Sequence, residues 1–238
     1  MHSKIKTVIT ATGKYIPKVV VKNSDFLNHS FVEKDGSPVT RQMTDVVKKF
    51  QAITDIEERR YALPTQNASE LAYLAALDAL ESGNEDKEKL DYIIVAHNFG
   101  DIKDGDNRTD MVPTLASRVK YKLGIENPNC VAYDLPFGCP GWLQGIIQAD
   151  YFIKSGDAKK ILVIGSETLS RVVDPHDKDS MIYADGAGAT ILTAKESDEE
   201  EGIISHKTQS HTLDQAWFLR MEGSSKIDYQ SPEDLYLK

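Results

Sequence analysis

Cysteine is scarce: Cys130 and Cys139 are the only two among 238 residues. They make no disulfide framework, and the first residues lack a signal peptide's apolar core, so the expected setting is reducing and cytoplasmic. No apolar run approaches the ~18 residues of a membrane-spanning helix. Cations are outnumbered, 28 Lys and Arg against 37 Asp and Glu, for a formal net charge of −9. That balance argues against nucleic acid as a partner, because phosphate binding needs a basic face. Gly and Pro, 15 and 9, are too few for a collagenous or low-complexity chain. The acidic run Glu196-Ser197-Asp198-Glu199-Glu200-Glu201 reads as a solvated loop.

What remains is ordinary globular composition, 40% hydrophobic and 27% charged. A chain of this length buries roughly 70% of its unfolded surface. Residues 4–12 alternate Ile5, Thr7, Ile9 and Ala11 on one face, a strand pattern. A short helix near 24–27 is followed by an inserted hairpin or loop containing Asp35-Gly36-Ser37-Pro38. Thr44 reads as the N-cap of a helix over 46–53. Helices are expected over 68–80, 112–123 and 141–155, with Gly124 and Gly156 as stops. Continuous apolar runs at 91–96 and 160–165 predict buried parallel strands. Shorter strands are expected at 129–134, 187–194 and 203–210, ahead of a polar, aperiodic stretch over 213–238. Strands alternating with helices predict an α/β architecture with a mostly parallel central sheet.

One segment carries chemistry: Tyr133-Asp134-Leu135-Pro136-Phe137-Gly138-Cys139-Pro140-Gly141-Trp142. A strand ends, the chain turns through Pro136 and Gly138, and a helix starts, with Cys139 at its N-cap and Pro140 at N1. A thiol there faces the positive end of the helix dipole, which favours the nucleophilic thiolate, and first-turn N–H groups can face an oxyanion. Sites in open α/β sheets lie at strand C-terminal ends. The arrangement suits acyl catalysis through a thioester, although buried cysteines are commonly inert core residues. Cys130 opens an apolar strand and reads as such a core thiol.

The chain resembles the N-terminal half of the β-ketoacyl-acyl-carrier-protein synthase III family of thiolase-like condensing enzymes. The resemblance rests on motifs in register: Ile9-Thr10-Ala11-Thr12-Gly13, Thr54-Asp55-Ile56-Glu57-Glu58-Arg59-Arg60, Pro113-Thr114-Leu115-Ala116, Cys139 with Gly141, Lys154-Ser155-Gly156, Gly165-Ser166-Glu167, Asp174-Pro175 and Asp185-Gly186-Ala187-Gly188-Ala189. It implies a layered α/β/α fold over 1–238, one half of the usual pseudo-duplication, with an insertion at about 22–45 and the C-terminal half absent from this chain. It implies that Cys139 takes an acyl group from acyl-coenzyme A or acyl carrier protein, and that a malonyl thioester then condenses by decarboxylation. No cofactor or metal is implied, and the family implies a homodimer pairing near the strand at 160–167 or its neighbours. The alternative is a noncatalytic or acyl-transfer-only partner subunit of a heteromeric enzyme.

Departures from the family pattern set further expectations. None of the six histidines stands in the family's catalytic context and no matching Asn motif follows; the chain is expected to be a piece of a longer enzyme, or else a short protein that has lost condensation. Lys49 and Ile53 stand where many members carry the Trp and Arg that grip the adenine of coenzyme A, which favours a carrier-protein donor. Arg171 matches an entrance arginine, or is a surface arginine. Phe137 narrows the acyl tunnel or fills core, while Met111 and Val112 fall where the family closes its partner's acyl pocket. Gly186 and Gly188 read as a tight turn where backbones approach closely. His97 reads as a hydrogen-bonded strand-end histidine. Asp101, Asp104, Asp106 and Asp110 lack the full calcium-loop spacing and read as a solvated loop.

Overall fold

Strands and helices alternate along the chain as β1 (Ile5–Tyr15), β2 (Val19–Lys22), α1 (Met43–Thr54), β3 (Glu58–Tyr61), α2 (Ala68–Ser82), β4 (Tyr92–His97), α3 (Leu115–Leu123), β5 (Val131–Pro136), α4 (Gly141–Ser155), β6 (Lys160–Thr168), β7 (Asp185–Glu196), β8 (Met221–Glu222) and β9 (Tyr236–Leu237). The computed structural model describes residues 5–106, 108–227, 229 and 234–238. Lys4, at the edge of the expected first strand, and 228 and 230–233 in the expected tail lie outside them.

Five strands form the central sheet in the order β1-β7-β6-β4-β5. β4 pairs parallel with both β5 and β6, whereas β7 runs antiparallel to β6 and to β1. The sheet is therefore mixed rather than mostly parallel. Its two faces are covered by different helices. α2 and α3 pack Leu71's neighbours Ala72, Ala75, Ala76 and Ala79 together with Leu115 and Val119 against Ile93, Val95, Leu162 and Ile164. α4 packs Ile146, Ala149 and Ile153 against Ile94, Ile161, Val163 and Leu192 on the other side. Alanines on α2 let the helix approach closely: a Cβ on Gly13 of β1 would lie 2.2 Å from the Ala79 backbone nitrogen.

Several elements differ from the sequence expectation for local reasons. The alternation in β1 does not run through: a bulge lies between Ile9 and Ala11, so Ala11 joins the α2 layer while Ile9 is left half in water. Thr44 lies inside α1, whose N-cap is Gln42. α3 starts at Leu115 rather than 112, because Pro113 disfavours helical backbone at Val112 and Thr114 is the cap, accepting from the Ser117 N–H at 3.2 Å. Residues 203–210 form no strand; Ile203 donates one bond to the Thr7 carbonyl, just after Gly202 turns the chain at φ +73°. Gly186 and Gly188 are not a turn either. Both sit inside β7, Gly186 opposite Glu167 and Gly188 opposite Gly165, and a Cβ on Gly188 would meet nothing within 4 Å.

The insertion makes a small satellite core. Phe26 and Phe31 pack with Val46 and Val47 of α1 and with Met181. The stretch over 213–238 is less loose than its composition implies. Tyr236 and Leu237 are buried, Leu237 donates to the Val172 carbonyl at 2.7 Å, and Lys238 Nζ lies 3.1 Å from fully buried Asp174.

Candidate active site

The parallel strands β4, β5 and β6 end together, and the polar residues just past their apolar cores assemble there. β5 delivers Cys139. After Pro136 the chain turns at Gly138, with φ +75°, and α4 opens at Gly141. Pro140, not Cys139, is the N-cap, so Cys139 stands one residue further out than the sequence suggested. The Gly141 N–H closes the turn onto the Gly138 carbonyl at 2.9 Å. Cys139 is exposed, whereas Cys130 is buried and free, and burial pushes its thiol up. Cys130 is thus the core thiol expected of it.

Sequence reasoning assigned no role to Asn98 or Glu167, which lie beside this turn. Asn98, just past β4, donates its backbone N–H to Glu167 Oε2 at 2.8 Å, and its side-chain amide binds the same oxygen. A Cβ on Gly138 would come within 3.4 Å of Asn98 Oδ1, so the amide lies directly over the turn before the nucleophile candidate. Burial raises the Glu167 carboxyl, against the opposing pull of the Asn98 bonds. The signal available in the sequence was position: Asn98 and Glu167 each follow an apolar strand at its C-terminal end.

His97 is the hydrogen-bonded strand-end histidine expected. Its Nδ1 accepts from the Gly100 N–H at 3.0 Å, which leaves the proton on Nε2, 3.0 Å from Asp134 Oδ2. Asp134 also accepts the Leu115 and Ala116 N–H groups, each at 2.8 Å, at the start of α3. Both imidazole nitrogens are committed to this network. Among the described residues no histidine is hydrogen-bonded to Cys139.

Tyr183 was also missed. Burial first, then the charge of nearby Cys139, pushes its phenol up. Its ring packs with Phe99 and Leu169 on the cluster of Ile102, Val172, Val173 and Leu237. Tyr183 lines a cavity of about 600 Å³ whose other walls include Asp174, Phe218, Leu219 and Lys238.

The remaining sequence candidates are more scattered. Arg171 holds the structure around it: its guanidinium donates to Asn67 Oδ1 at 3.0 Å, to the Ile102 carbonyl and to the Leu63 carbonyl at 2.9 Å. It still lines a cleft with Tyr61, Arg108 and Tyr229. Phe137 is 49% exposed, so it does not fill core. Met111 and Val112 lie in the loop before α3, and Val112 is 86% exposed; neither lines the Tyr183 cavity or the Arg171 cleft. Asp101 is not solvated. It is buried and accepts the Ser69 N–H at 2.7 Å, the Ser69 hydroxyl at 2.6 Å and Arg118 at 2.5 Å.

Comparisons with known proteins agree with this geometry. Residues 133–212 match the family model for 3-oxoacyl-[acyl-carrier-protein] synthase III. The β-ketoacyl-[acyl-carrier-protein] synthase III of Pectobacterium atrosepticum is 34% identical over 235 residues, covering 92% of this chain and 66% of that protein. That of Citrobacter koseri is 36% identical over 200 residues, covering 84% and 55%. The crystal structure of the Aquifex aeolicus synthase III superposes with a TM-score of 0.65 at 33% identity, over 80% of this chain and 55% of that one. The priming β-ketosynthase of the R1128 polyketide pathway shares the fold, with a TM-score of 0.76 at 20% identity. The chain thus spans between about half and two thirds of the length of the curated relatives it matches. Motif register, layered α/β/α sheet and cysteine turn meet in one conclusion: this chain belongs to the β-ketoacyl-acyl-carrier-protein synthase III family, with its thiolase-like fold.

Proposed function

We propose that this protein is an acyltransferase of lipid or polyketide assembly that carries its acyl group on Cys139. The observation that supports it is an exposed thiol at the head of α4, at the C-terminal end of β5, inside the matched interval. The Cys139 sulfur attacks the carbonyl of an acyl thioester, an acyl-S bond forms on Cys139, and the carrier thiol leaves. A malonyl thioester then loses CO₂ to give an enolate, whose carbon attacks the acyl-Cys carbonyl. The products are a β-ketoacyl thioester and free Cys139. Acyl-coenzyme A and acyl carrier protein are the carriers, and no cofactor is required because the thioester and the lost CO₂ drive the sequence.

In this reading the acyl group stays at the head of α4, because the cavity beside Tyr183, walled by Lys34, Asp174, Asp177, Asp179, Arg220 and Glu222, is too charged to take an aliphatic chain. Arg171 faces the carrier from the adjoining cleft, while Phe137, Met111 and Val112 stay accessible to a second subunit. The protein works in the cytoplasm, whose reducing setting suits an exposed free thiol. It forms a homodimer, for which β5 offers a free edge. β6 is hydrogen-bonded on both sides, so of the strand at 160–167 and its neighbours it is a neighbour in the same sheet, β5, that would pair across the two-fold.

A second reading is favoured by the commitment of both His97 nitrogens to Gly100 and Asp134. The chain would then transfer acyl groups, or serve as a partner subunit, while condensation draws its histidine from elsewhere. Intact-mass spectrometry after incubation with acyl-coenzyme A and acyl-carrier-protein thioesters tests acyl transfer. An adduct that disappears in Cys139→Ala supports it, and no adduct from any donor overturns it. Adding malonyl-carrier protein separates the readings: turnover to a β-keto product requires condensation, whereas a persisting adduct indicates transfer alone.

A further inference from the structure

The parallel ladder between β4 and β5 runs from Tyr92 opposite Val131 to His97 opposite Pro136. Pro136 has no N–H with which to carry the ladder further. Cys139 and the Asn98 amide both lie beyond that last pair, on different strands, and the amide stands beside Gly138. Their relative placement therefore depends on whatever joins the two strand ends.

A side-chain bond does so. His97 Nε2 donates to Asp134 Oδ2 at 3.0 Å, two residues back along β5 from Pro136. The His97 side chain is completely withdrawn from water and that of Asp134 is 8% exposed. A buried polar pair destabilises unless its atoms are satisfied, and here they are. Asp134 also accepts the Ala116 N–H on Oδ1 and the Leu115 N–H on Oδ2, each at 2.8 Å. His97 Nδ1 accepts the Gly100 N–H at 3.0 Å, which fixes the tautomer that donates to Asp134. Gly100 is itself confined: its φ is +70°, and a Cβ there would lie 2.5 Å from Met111 Cγ. One carboxylate thus joins β5, β4 and the first turn of α3, five residues before the nucleophile candidate.

We propose that His97 is a positioning residue for acylation: through Asp134 it locks the end of β5 to the end of β4, and so holds the Cys139 thiol in register with the Asn98 amide. The imidazole moves no proton in this role, because both of its nitrogens are occupied. The proposal rests on the acyl-transfer reading above and adds to it the residue that sets the placement of the nucleophile.

The test separates the two halves of the imidazole. In His97→Gln the side-chain amide reaches the place of Nε2 and keeps a donor for Asp134. In His97→Asn the shorter side chain reaches only the place of Nδ1, so it keeps an acceptor for Gly100 and loses Asp134. Acylation of Cys139 by acyl thioesters is followed by intact mass, alone and beside iodoacetamide alkylation, and denaturant unfolding gives the stability of each variant. His97→Asn is expected to slow acylation about tenfold while alkylation changes less than about threefold, and His97→Gln to stay within about threefold of the unsubstituted protein in both. Asp91→Asn is the structural control. Its carboxylate accepts the Lys159 and Lys160 N–H groups at 2.6 and 2.9 Å just before β4 begins, at the opposite end of that strand, so the variant is expected to lose stability and keep its acylation rate.

Equal acylation rates in the two His97 variants overturn the proposal, as does a loss in Asp91→Asn that matches His97→Asn. Nitrogen-15 spectra of the histidine-labelled, unsubstituted protein give an independent readout: the Nε2–H form of His97 is expected, and the Nδ1–H form overturns the proposal. Failure of the acyl-transfer reading shows separately, as absence of a Cys139 adduct on the unsubstituted protein.

Discussion

A single carboxylate oxygen, Glu167 Oε2, accepts from both the backbone and the side-chain N–H of Asn98, and the Asn98 side-chain oxygen lies 3.4 Å from where a Cβ on Gly138 would stand. The amide beside the turn that carries Cys139 is therefore braced from β6 through β4. Asn98→Ala removes the brace without touching the thiol. It is expected to slow Cys139 acylation about tenfold, by the loss of positioning, while alkylation of the exposed thiol by iodoacetamide changes little. Acylation rates that match the unsubstituted protein would show that the brace has no part in positioning.

Glu167 also gives a pH signature. Its carboxyl is raised by burial, so its neutral form is favoured in the fold and its contribution to stability is greatest below the ordinary value of 4.5. That contribution declines as pH rises through the raised value. Glu167→Gln carries no such titration. The stability of the variant relative to the parent is therefore expected to improve as pH rises from 4.5 through the raised value and then to level off, measured by denaturant unfolding. A difference independent of pH would contradict the assignment.

Asp174 has the opposite sign. Burial alone would raise its carboxyl, but the His176 N–H, Lys238 and Ser224 together hold it below its ordinary 3.8. Its contribution is present above that value and is lost as pH falls through the lower, folded value. Asp174→Asn should cost about 3 kcal/mol at neutral pH, since it leaves Lys238 unpaired and nearly buried. Hydrogen exchange would locate the loosening around Ser224, Ser225 and Lys238, which meet this carboxylate.

The turn itself tolerates little. Gly138→Ala puts a side chain on a residue at φ +75° and brings its Cβ within 3.4 Å of Asn98 Oδ1. A loss of about 1–2 kcal/mol is expected from backbone strain, together with slower acylation. The substitution Gly156→Ala provides the contrast. At φ +85° with nothing within 4 Å of its Cβ, it should lose comparable stability and leave acylation intact.

Thiol labelling separates the two cysteines. Iodoacetamide should modify exposed Cys139 in the native protein and reach buried Cys130 only on unfolding, read as one adduct followed by two in the mass spectrum. Labelling of both at equal rates in the native state would contradict the burial of Cys130.

Local patterns made much of this molecule legible. The apolar runs of β4 and β6, the alanine spacing of α2 and the strand-turn-helix around Cys139 are encoded within a few residues of one another, and the structure has them. What depended on distant partners was not legible. The bulge in β1 is a matter of pairing with β7, and the strand that swallows Gly186 and Gly188 is defined by Glu167 and Gly165 opposite them. Asn98, Glu167 and Tyr183 become meaningful only when strand ends meet in space. Thr44 and Thr114 carry the same capping chemistry, yet only Thr114 follows a proline that forbids an earlier helical start.

The loop that leaves β4 is sealed at its neck. Asp101 and Asp110 pair across its base, and the Arg118 guanidinium binds both of their carboxylates. Below that clasp, Asp134 fastens His97 to the start of α3. The stretch between the two aspartates is thereby tied at both ends, and through Asp104, Asp106 and Arg108 it forms a wall of the Arg171 cleft. A loop clasped in this way presents one fixed wall to whatever enters that cleft, and cutting the Arg118 clasp would change the cleft before it changed the cysteine turn.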